Sequence, residues 1–244
     1  MDVAFIIPCY NEEFRFNKEE FDRFVKIAPF DFYFVNDGST DKTNNVLQNF
    51  CELNSKNCFL LSLKNNLGKA GAVRYGVNTA FKKGNYKHIG FFDADLATPP
   101  DEIIRFWEFV KLQNTLLIFF GSRIKRLGSK ISRSEKRHYL GRFFATAVSI
   151  VSKSDVYDSQ CGTKLFHYST IEVLFGEDFV SKWFFDIEIL IRFKRISKSL
   201  SLAYEFPLSE WNEKGGSKLK IKDFIKTPLE LLKIHNHYKK MNLN

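Results

Sequence analysis

The chain has 244 residues, of which 44% are hydrophobic and 27% charged. This length and composition predict one globular domain and argue against a disordered chain. The formal net charge of +9 suits nucleic acid, an anionic membrane surface or a phosphorylated substrate, and does not choose among them. The four cysteines form no C-x-x-C pair, so we expect free thiols in a reducing cytoplasm rather than a zinc site or disulfides.

Leader and membrane-spanning segments are not expected. The first apolar run, Val3–Pro8, is shorter than the core of a signal peptide. No stretch of the sequence approaches the roughly 20 apolar residues of a spanning helix. We therefore expect a cytoplasmic protein that meets any lipid from the surface of the membrane.

Short apolar runs alternate with helical patterns in the first half of the chain. Buried strands are predicted at Val3–Pro8, Phe32–Val35, Cys58–Leu63, Ile89–Phe92 and Leu116–Phe120. Helices are predicted between them, at Lys18–Ile27, Asp41–Leu53, Lys69–Lys83 and Asp101–Gln113. This alternation predicts an α/β fold with a Rossmann-like, mostly parallel sheet flanked by helices. In such sheets ligands bind beyond the carboxyl ends of the strands.

The second half of the chain is less regular. A basic, serine-rich loop is predicted at Gly121–Arg137. The remaining predicted elements are helices at Tyr139–Val151 and Phe184–Phe193, a strand at Leu202–Pro207, and a basic tail helix from Lys222 that is interrupted at Pro228. The first and last of these helices combine an apolar stripe with basic residues, which is typical of helices that lie on a membrane surface. Packing on the core explains the first of them equally well.

Acidic and small polar residues follow three of the predicted parallel strands. The strands end in Pro8-Cys9-Tyr10-Asn11-Glu12, in Asn36-Asp37-Gly38-Ser39-Thr40-Asp41, and in Asp93-Ala94-Asp95. Turn or cap chemistry explains any one of these endings. Three endings at one edge of the sheet indicate a site.

The pair Asp93 and Asp95 is the sharpest of these signals. Two carboxylates at positions i and i+2 can converge where a buried strand breaks into a turn. Hard oxygen ligands of this kind suit Mg²⁺ or Mn²⁺, which keeps open positions for water and substrate phosphates. A bound diphosphate would then be held and its developing charge neutralised.

Five segments, taken in chain order, carry a resemblance to a known family. They are VAFIIPCYNEE, VNDGSTD, NNLGKAGAVRYG, FFDADLATPP and GSR, which together resemble glycosyltransferase family 2, with the GT-A fold. In the second half, DSQCGTKLF, KWFFDIEIL and EWNEKGGSKL resemble the dolichyl-phosphate β-glucosyltransferases and their bacterial polyprenyl-phosphate relatives. The resemblance covers the chain from Val3 to about Lys233.

The resemblance implies a donor site in the first half of the chain. Asp37 would contact the base or ribose of the nucleotide, and Pro8, Tyr10 and Glu12 would shape the same pocket. Lys69 would face the donor.

The metal site implied by the resemblance departs from the pattern of the mannosyl-transferring relatives. Asp93 and Asp95 would bind the donor diphosphate through the metal. Those relatives place a Gln two positions after the second Asp, where this chain has Ala97. The departure fits the glucosyl branch and leaves the third protein ligand open.

The resemblance also implies an acceptor site for a lipid monophosphate. Arg123 and Arg137 match the positions that hold the acceptor phosphate, and Lys218 is a third candidate. In relatives that act on hydroxyls, a carboxylate near Asp186 and Glu188 serves as general base. Positions i and i+2 cannot share a helix face, and Asp186 is the chosen residue. The expected catalytic set is therefore Asp95, Asp186, Arg123 and Arg137.

These roles predict an inverting hexosyltransferase that moves glucose from UDP-glucose to a dolichyl or undecaprenyl phosphate. The alternatives are GDP-mannose as donor, or a glycan hydroxyl as acceptor with Asp186 as base. Nucleic acid is not expected as a partner, because no recognition motif accompanies the positive charge. We expect one domain over residues 1–244, with a nucleotide-sugar half (1–122), an acceptor half (123–221) and a basic C-terminal helix (222–244), peripheral on the cytoplasmic face of a membrane.

Overall fold

The apolar runs of the chain form the central strands of one mixed sheet. The computed structural model describes residues 1–132, 156–198, 200–214 and 221–241, and within these residues the sheet has seven strands in the order β3-β2-β1-β4-β7-β5-β8. Its strands are β1 Val3–Cys9, β2 Asp31–Asp37, β3 Cys58–Leu63, β4 His88–Phe91, β5 Ile118–Ser122, β7 Lys164–His167 and β8 Ala203–Pro207. A separate parallel pair joins β6 Lys130–Ser132 to β9 Glu210–Asn212.

Strands β1 to β4 are parallel to one another, as the alternating pattern predicted. Strand β7 was not predicted; it lies antiparallel between β4 and β5. Strand β5 in turn runs parallel to β8. The carboxyl ends of β1, β2 and β4 therefore meet at one edge of the sheet, which is where the polar endings of the sequence lie.

Helices cover both faces of the sheet. They are α1 Lys18–Ile27, α2 Thr43–Leu53, α3 Gly68–Lys83, α4 Pro100–Lys111, α5 Ile171–Phe175, α6 Phe185–Ser197 and α7 Ile221–Met241. A short 3₁₀ turn, Tyr168–Thr170, precedes α5. The prediction of a mostly parallel sheet flanked by helices is confirmed.

The side chains of alternate residues in the central strands point to opposite faces of the sheet and form two apolar layers. Phe5 and Phe34 pack on one face of the sheet, among many of the phenylalanines that make this composition unusual. Ile6 and Val35 pack on the other face, against α3. Gly76 of α3 is needed there, because a Cβ atom at that position would lie 2.4 Å from a methyl carbon of Ile6. This close contact seats α3, and with it the residues of its first turn, against the sheet.

The C-terminal helix α7 continues through Pro228, so the predicted interruption is wrong. Proline removes one helical hydrogen bond, but the turns that follow it are held by buried Leu231, Ile234 and Tyr238. The Tyr238 hydroxyl donates to Glu188 Oε2 at 2.9 Å, and Arg192 Nε donates to that hydroxyl at 2.8 Å. No helix in the described part of the chain is long and apolar enough to cross a membrane.

Candidate active site

The loops that follow β1 and β2 lock together at the edge of the sheet. The backbone N–H of Asn11 donates to Ser39 Oγ at 3.0 Å, and the N–H of Thr40 donates to Asn11 Oδ1 at 2.9 Å. Glu12 N–H donates to Thr43 Oγ1 at 2.7 Å. Asn11 itself has a φ of 50°, a left-handed conformation that asparagine tolerates better than most residues. These contacts fix the segment that is predicted to form the donor pocket.

Asp37 joins the end of β2 to the loop that leads into α3. Its Oδ1 accepts the N–H of Leu67 at 2.7 Å, and its carbonyl oxygen accepts from Asn66 Nδ2 at 3.2 Å. Gly38 follows with a φ of +61°, and a Cβ atom there would lie 2.5 Å from the backbone of Asn65. The buried Asp37 carboxylate therefore helps to place the first turn of α3.

The other residues predicted for the donor pocket lie around the same edge. Pro8 and Tyr10 are half-buried, and Glu12 is buried. Arg15 bridges two of the acidic endings, with its Nε 3.6 Å from Glu12 Oε2 and its Nη2 4.0 Å from Asp95 Oδ2. Arg15 was not predicted as a site residue, because its two partners follow different strands.

Lys69 and the two carboxylates after β4 meet at the centre of this edge. Lys69 Nζ forms an ion pair with Asp93 Oδ1. Burial opposes the charge of Lys69, but Asp93 and Asp186 outweigh it and raise the pKa of the ammonium. Burial and the nearby Asp93 raise the pKa of Asp95, while the N–H of Ala97, which donates to Asp95 Oδ1 at 3.0 Å, favours the charged form.

The carboxylate pair remains open to a ligand. The side chains of Asp93 and Asp95 are 38% and 28% exposed. The described residues include no group of three His, Cys, Asp or Glu side chains that could hold a metal by themselves. Ala97, where a third ligand would stand, uses its backbone N–H on Asp95 and its carbonyl on the N–H of Asn212. The pair thus fits a metal whose remaining positions are filled by water and substrate phosphates.

Gly162 presses directly on the carboxylate of Asp93, a contact that the sequence did not reveal. A Cβ atom at this position would lie 2.1 Å from Asp93 Oδ2. A side chain at this position would displace the carboxylate. The segment 158–166, which carried part of the family resemblance, therefore borders the site.

Arg123 is held by a carboxylate of that same segment. Its Nε and Nη2 donate to the two oxygens of Asp158, each at 2.7 Å, and its backbone N–H donates to Oδ2 at 3.0 Å. Its guanidinium carbon lies 5.1 Å from the centre of the Trp211 ring. Burial disfavours the Arg123 charge, yet Asp158 raises its pKa. Arg123 thus holds the loop that carries Gly162.

Asp186 and Glu188 point in different directions, as their spacing predicted. Asp186 Oδ1 lies 2.8 Å from the Nζ of Lys164 on β7, and the two side chains are almost completely buried. Burial raises the pKa of Asp186, while Lys164 and Lys69 oppose the rise. The oxygens of Glu188 accept the N–H groups of Val180 and Ser181 at 3.0 and 2.8 Å.

Two predicted acceptor residues, Arg137 and Lys218, lie outside the described residues, as does the predicted helix Tyr139–Val151. The structure therefore brings together Asp93, Asp95 and Lys69 with the donor-side loops, and gives Arg123 and Asp186 buried partners. Cys161 is fully buried, and burial raises the pKa of its thiol to about 11, so it is not a reactive thiolate.

This arrangement suits an anionic ligand that shares a divalent cation. Two carboxylates attract the cation, and Lys69 and Arg15 flank them with positive charge. The first turn of α3, which carries Lys69, adds the positive end of a helix dipole. A diphosphate has the charge and the oxygen ligands that this edge of the sheet can bind.

Comparison with known proteins places this site in a family. The model of the family "Glycosyl transferase family 2" matches residues 4–175. A dolichyl-phosphate beta-glucosyltransferase of Trichomonas vaginalis is 34% identical over 250 residues, covering 97% of this chain and 74% of that protein. A dolichyl-phosphate beta-glucosyltransferase of Saccharomyces cerevisiae is 30% identical over 262 residues, covering 97% of this chain and 75% of its own length.

Solved structures support the fold at lower identity. Glucosyl-3-phosphoglycerate synthase from Mycobacterium tuberculosis, solved with UDP, has a TM-score of 0.65 at 13% identity over 96% of this chain and 80% of that one. A mannosyltransferase from Pyrobaculum calidifontis, solved with GDP-Man and Mn²⁺, has a TM-score of 0.61 at 17% identity over 100% of this chain and 64% of that one. The predicted GT-A architecture is confirmed, and the chain belongs to glycosyl transferase family 2.

Proposed function

We propose that this chain transfers glucose from UDP-glucose to the phosphate of a polyprenyl phosphate such as dolichyl phosphate. The observation that carries the proposal is the match to dolichyl-phosphate beta-glucosyltransferases at 30–34% identity, over 97% of this chain for those of T. vaginalis and S. cerevisiae. The edge of the sheet that holds Asp93, Asp95 and Lys69 supports it, because a nucleotide diphosphate suits these charges. The product is a lipid-phosphate sugar with a β linkage.

The donor binds in this proposal over the loops that follow β1, β2 and β4. Asp37 contacts the base or ribose, and Pro8, Tyr10 and Glu12 form the wall of the pocket. Lys69, whose ammonium pairs with Asp93 in this structure, faces the diphosphate. These assignments place the nucleotide-sugar half at residues 1–122.

Mg²⁺ or Mn²⁺ completes the donor site in this proposal, held by Asp93 and Asp95. When bound, such an ion neutralises charge on the diphosphate leaving group. Asp93 and Asp95 supply two carboxylates, so the other ligands of the ion would be phosphate oxygens and water. Arg15 and the N–H of Ala97 hold Asp95 in place, so that both carboxylates stay at the end of β4.

The chemical step needs no strong general base. The acceptor phosphate is ionised at neutral pH, and one of its oxygens attacks C1 of the sugar. The C1–O bond to the acceptor forms as the C1–O bond to UDP breaks, so the configuration at C1 inverts. The main barrier is repulsion between two anions, which paired arginines offset through bidentate hydrogen bonds.

The acceptor phosphate meets Arg137, Lys218 and the remaining edge of Arg123 in this proposal. One edge of the Arg123 guanidinium is paired with Asp158. Arg137 therefore makes more of the contacts to the phosphate than Arg123 does. The acceptor half is then residues 123–221, and residues 222–244 form the basic C-terminal helix.

Helix α7 is the membrane-facing element in this proposal. Leu229 and Leu232 are 61% and 56% exposed on its outer side, with Lys233, Lys239 and Lys240 exposed near them. Exposed leucines among lysines suit the headgroup region of an anionic membrane. We therefore place the protein on the cytoplasmic face of a membrane, where a lipid phosphate is within reach.

The geometry favours the phosphate acceptor over the glycan hydroxyl. The hydroxyl alternative needs Asp186 as a free base, but Asp186 is 5% exposed and paired with Lys164. GDP-mannose as donor is the other alternative, and Ala97, in place of the glutamine of the mannosyl-transferring relatives, supports the glucosyl branch.

Replacing Arg137 with Ala should weaken use of polyprenyl phosphate and leave UDP binding nearly unchanged. Losing a charge-assisted contact to an ionised group costs about 1.5–3 kcal/mol, or roughly tenfold to more than a hundredfold. Arg137→Lys should restore part of the activity, since an ammonium lacks the bidentate fork. The measurement is steady-state transfer to a short-chain polyprenyl phosphate, to the corresponding alcohol and to free sugars.

Arg126→Ala is the matched control, because Arg126 is an exposed arginine of the same basic segment. It removes the same charge and should leave transfer unchanged. Equal use of the alcohol, or an Arg137→Ala variant as active as the control, would favour the hydroxyl acceptor instead.

A further inference from the structure

A buried ion pair lies directly behind the proposed donor site. Lys164 on β7 is 0% exposed, and its Nζ lies 2.8 Å from Asp186 Oδ1. The ammonium also donates to the carbonyl of Cys161. It lies 5.4 Å from the ring centres of both Phe91 and Phe120, the residues paired with Lys164 on the two neighbouring strands. A lysine in the middle of a sheet is thus enclosed by one carboxylate, one carbonyl and two rings.

Stability alone does not account for such a pair. Removing two charges from water costs several kcal/mol per ion, and apolar side chains of similar volume often serve a core at least as well. The neighbouring strand positions are apolar, so a methionine would suit the packing. The electrostatic effect of the pair on the neighbouring charged residues therefore needs an explanation.

The ion pair lies next to the charged residues of the donor site and interacts with them. The ammonium groups of Lys164 and Lys69 both lie within 6 Å of the centre of the Phe91 ring. Asp186 interacts electrostatically with both lysines and with Asp93, and Lys69 pairs with Asp93. The four groups form a series of alternating sign, Lys164, Asp186, Lys69 and Asp93, with no net charge.

We infer that Lys164 is a positioning residue for the donor diphosphate, acting through Asp186, an inference that rests on the proposed function. With a metal held by Asp93, Lys69 would lose its ion-pair partner, and its ammonium would pair with either Asp186 or the diphosphate. Lys164 neutralises the charge of Asp186, so that the Lys69 ammonium pairs with the diphosphate instead. Asp186 in turn keeps a negative charge behind Lys69.

This assignment predicts effects of opposite sign for the two members of the pair. Without Lys164, the Asp186 charge is unbalanced, draws Lys69 back and repels the diphosphate. Without the Asp186 charge, one positive charge is left over, and donor binding does not weaken. Lys69 is already directed to the diphosphate when both charges are present, so the effect of losing Asp186 is smaller than the effect of losing Lys164. Removing both charges restores the balance.

The test is isothermal titration calorimetry, which measures the dissociation constant of UDP-glucose in the presence of Mn²⁺. The full chain and three variants are compared. Lys164→Met should weaken binding about tenfold, as one unbalanced charge acting at an effective dielectric of about 20 would do. Asp186→Asn should tighten binding, by about threefold at most. The double variant should bind within about threefold of the wild type.

Lys83→Met is the matched control, because it also removes one lysine charge from the face of an aromatic ring, that of Phe59. Lys83 ends α3 roughly 20 Å from Lys69, so donor binding should not change. Thermal unfolding of each variant separates a loss of stability from a loss of affinity, since a structural role alone would lower the melting temperature without opposite effects on donor binding.

Weakened binding in both single variants, or unchanged binding in Lys164→Met, would overturn the inference. If Lys164→Met does not fold, Asp186→Asn and the double variant decide, and a tenfold loss in both would overturn it. If the wild-type protein does not bind UDP-glucose, the proposed donor is wrong, and the same variants titrated with GDP-mannose then test the ion pair separately.

Discussion

An Asp95→Asn variant should lose transfer on the order of a thousandfold while it keeps its fold. A metal that neutralises a departing diphosphate contributes several kcal/mol, and each 1.36 kcal/mol is tenfold in rate. Asparagine retains the Oδ1 atom that accepts the N–H of Ala97, so the turn after β4 is preserved. What is lost is the second anionic ligand beside Asp93.

The measurement is transfer rate with Mn²⁺ or Mg²⁺, together with metal-dependent donor binding by titration. Asp22→Asn is the control, because Asp22 is a carboxylate on α1 whose partner is Lys26, away from the site. Its pKa is lowered by that contact, so its loss alters a surface ion pair and nothing at the sheet edge. A wild-type transfer rate in Asp95→Asn would contradict the assignment of a metal to this site. Undiminished activity of the wild-type enzyme in EDTA would contradict it as well.

Gly162→Ala should reduce kcat/KM on the order of a hundredfold. The added Cβ atom would lie 2.1 Å from Asp93 Oδ2, whereas ordinary contacts begin at 3.4 Å, so the carboxylate must move by more than 1 Å. Misplacing a reacting or binding group by about 1 Å can cost a hundredfold in rate. The loss should appear in metal-dependent donor binding as well as in turnover, because Asp93 is the group displaced.

Gly84→Ala separates this effect from a general loss of stability. Gly84 has a φ of +80° after α3, and its added Cβ atom meets nothing closer than 3.9 Å. The backbone strain costs about 1–2 kcal/mol of stability, at the end of α3 away from Lys69. If Gly84→Ala and Gly162→Ala lose activity to the same degree, the contact with Asp93 is not the cause.

Local patterns were sufficient to predict the donor side of the fold. The helix Lys18–Ile27 and the strand Cys58–Leu63 have the bounds that the sequence predicted. Parallel strands that end in polar residues bring Asp37 and Asp93 to one edge for a simple topological reason. The spacing of apolar residues and the residue types at turns are local properties, and in this part of the chain they favour the same structure as the tertiary contacts do.

Contacts between distant parts of the chain were not predictable in the same way. Strand β7 has only four residues, contains a lysine, and inserts antiparallel between two strands that precede it in the chain. The pairs Arg123–Asp158 and Lys164–Asp186 join residues 35 and 22 positions apart, and no period in the sequence encodes them. Gly162 gave no local signal either, because its need for glycine comes from Asp93 rather than from a turn.

The most direct test of the central proposal is transfer of labelled sugar to a short-chain polyprenyl phosphate by the purified chain. UDP-glucose and GDP-mannose are supplied in parallel at equal concentration with Mn²⁺, and the lipid product is separated and its anomeric linkage determined. We predict a β-linked glucosyl lipid phosphate from UDP-glucose, formed faster than any mannosyl product. A clear preference for GDP-mannose, or transfer to the polyprenyl alcohol as fast as to the phosphate, would contradict the proposal.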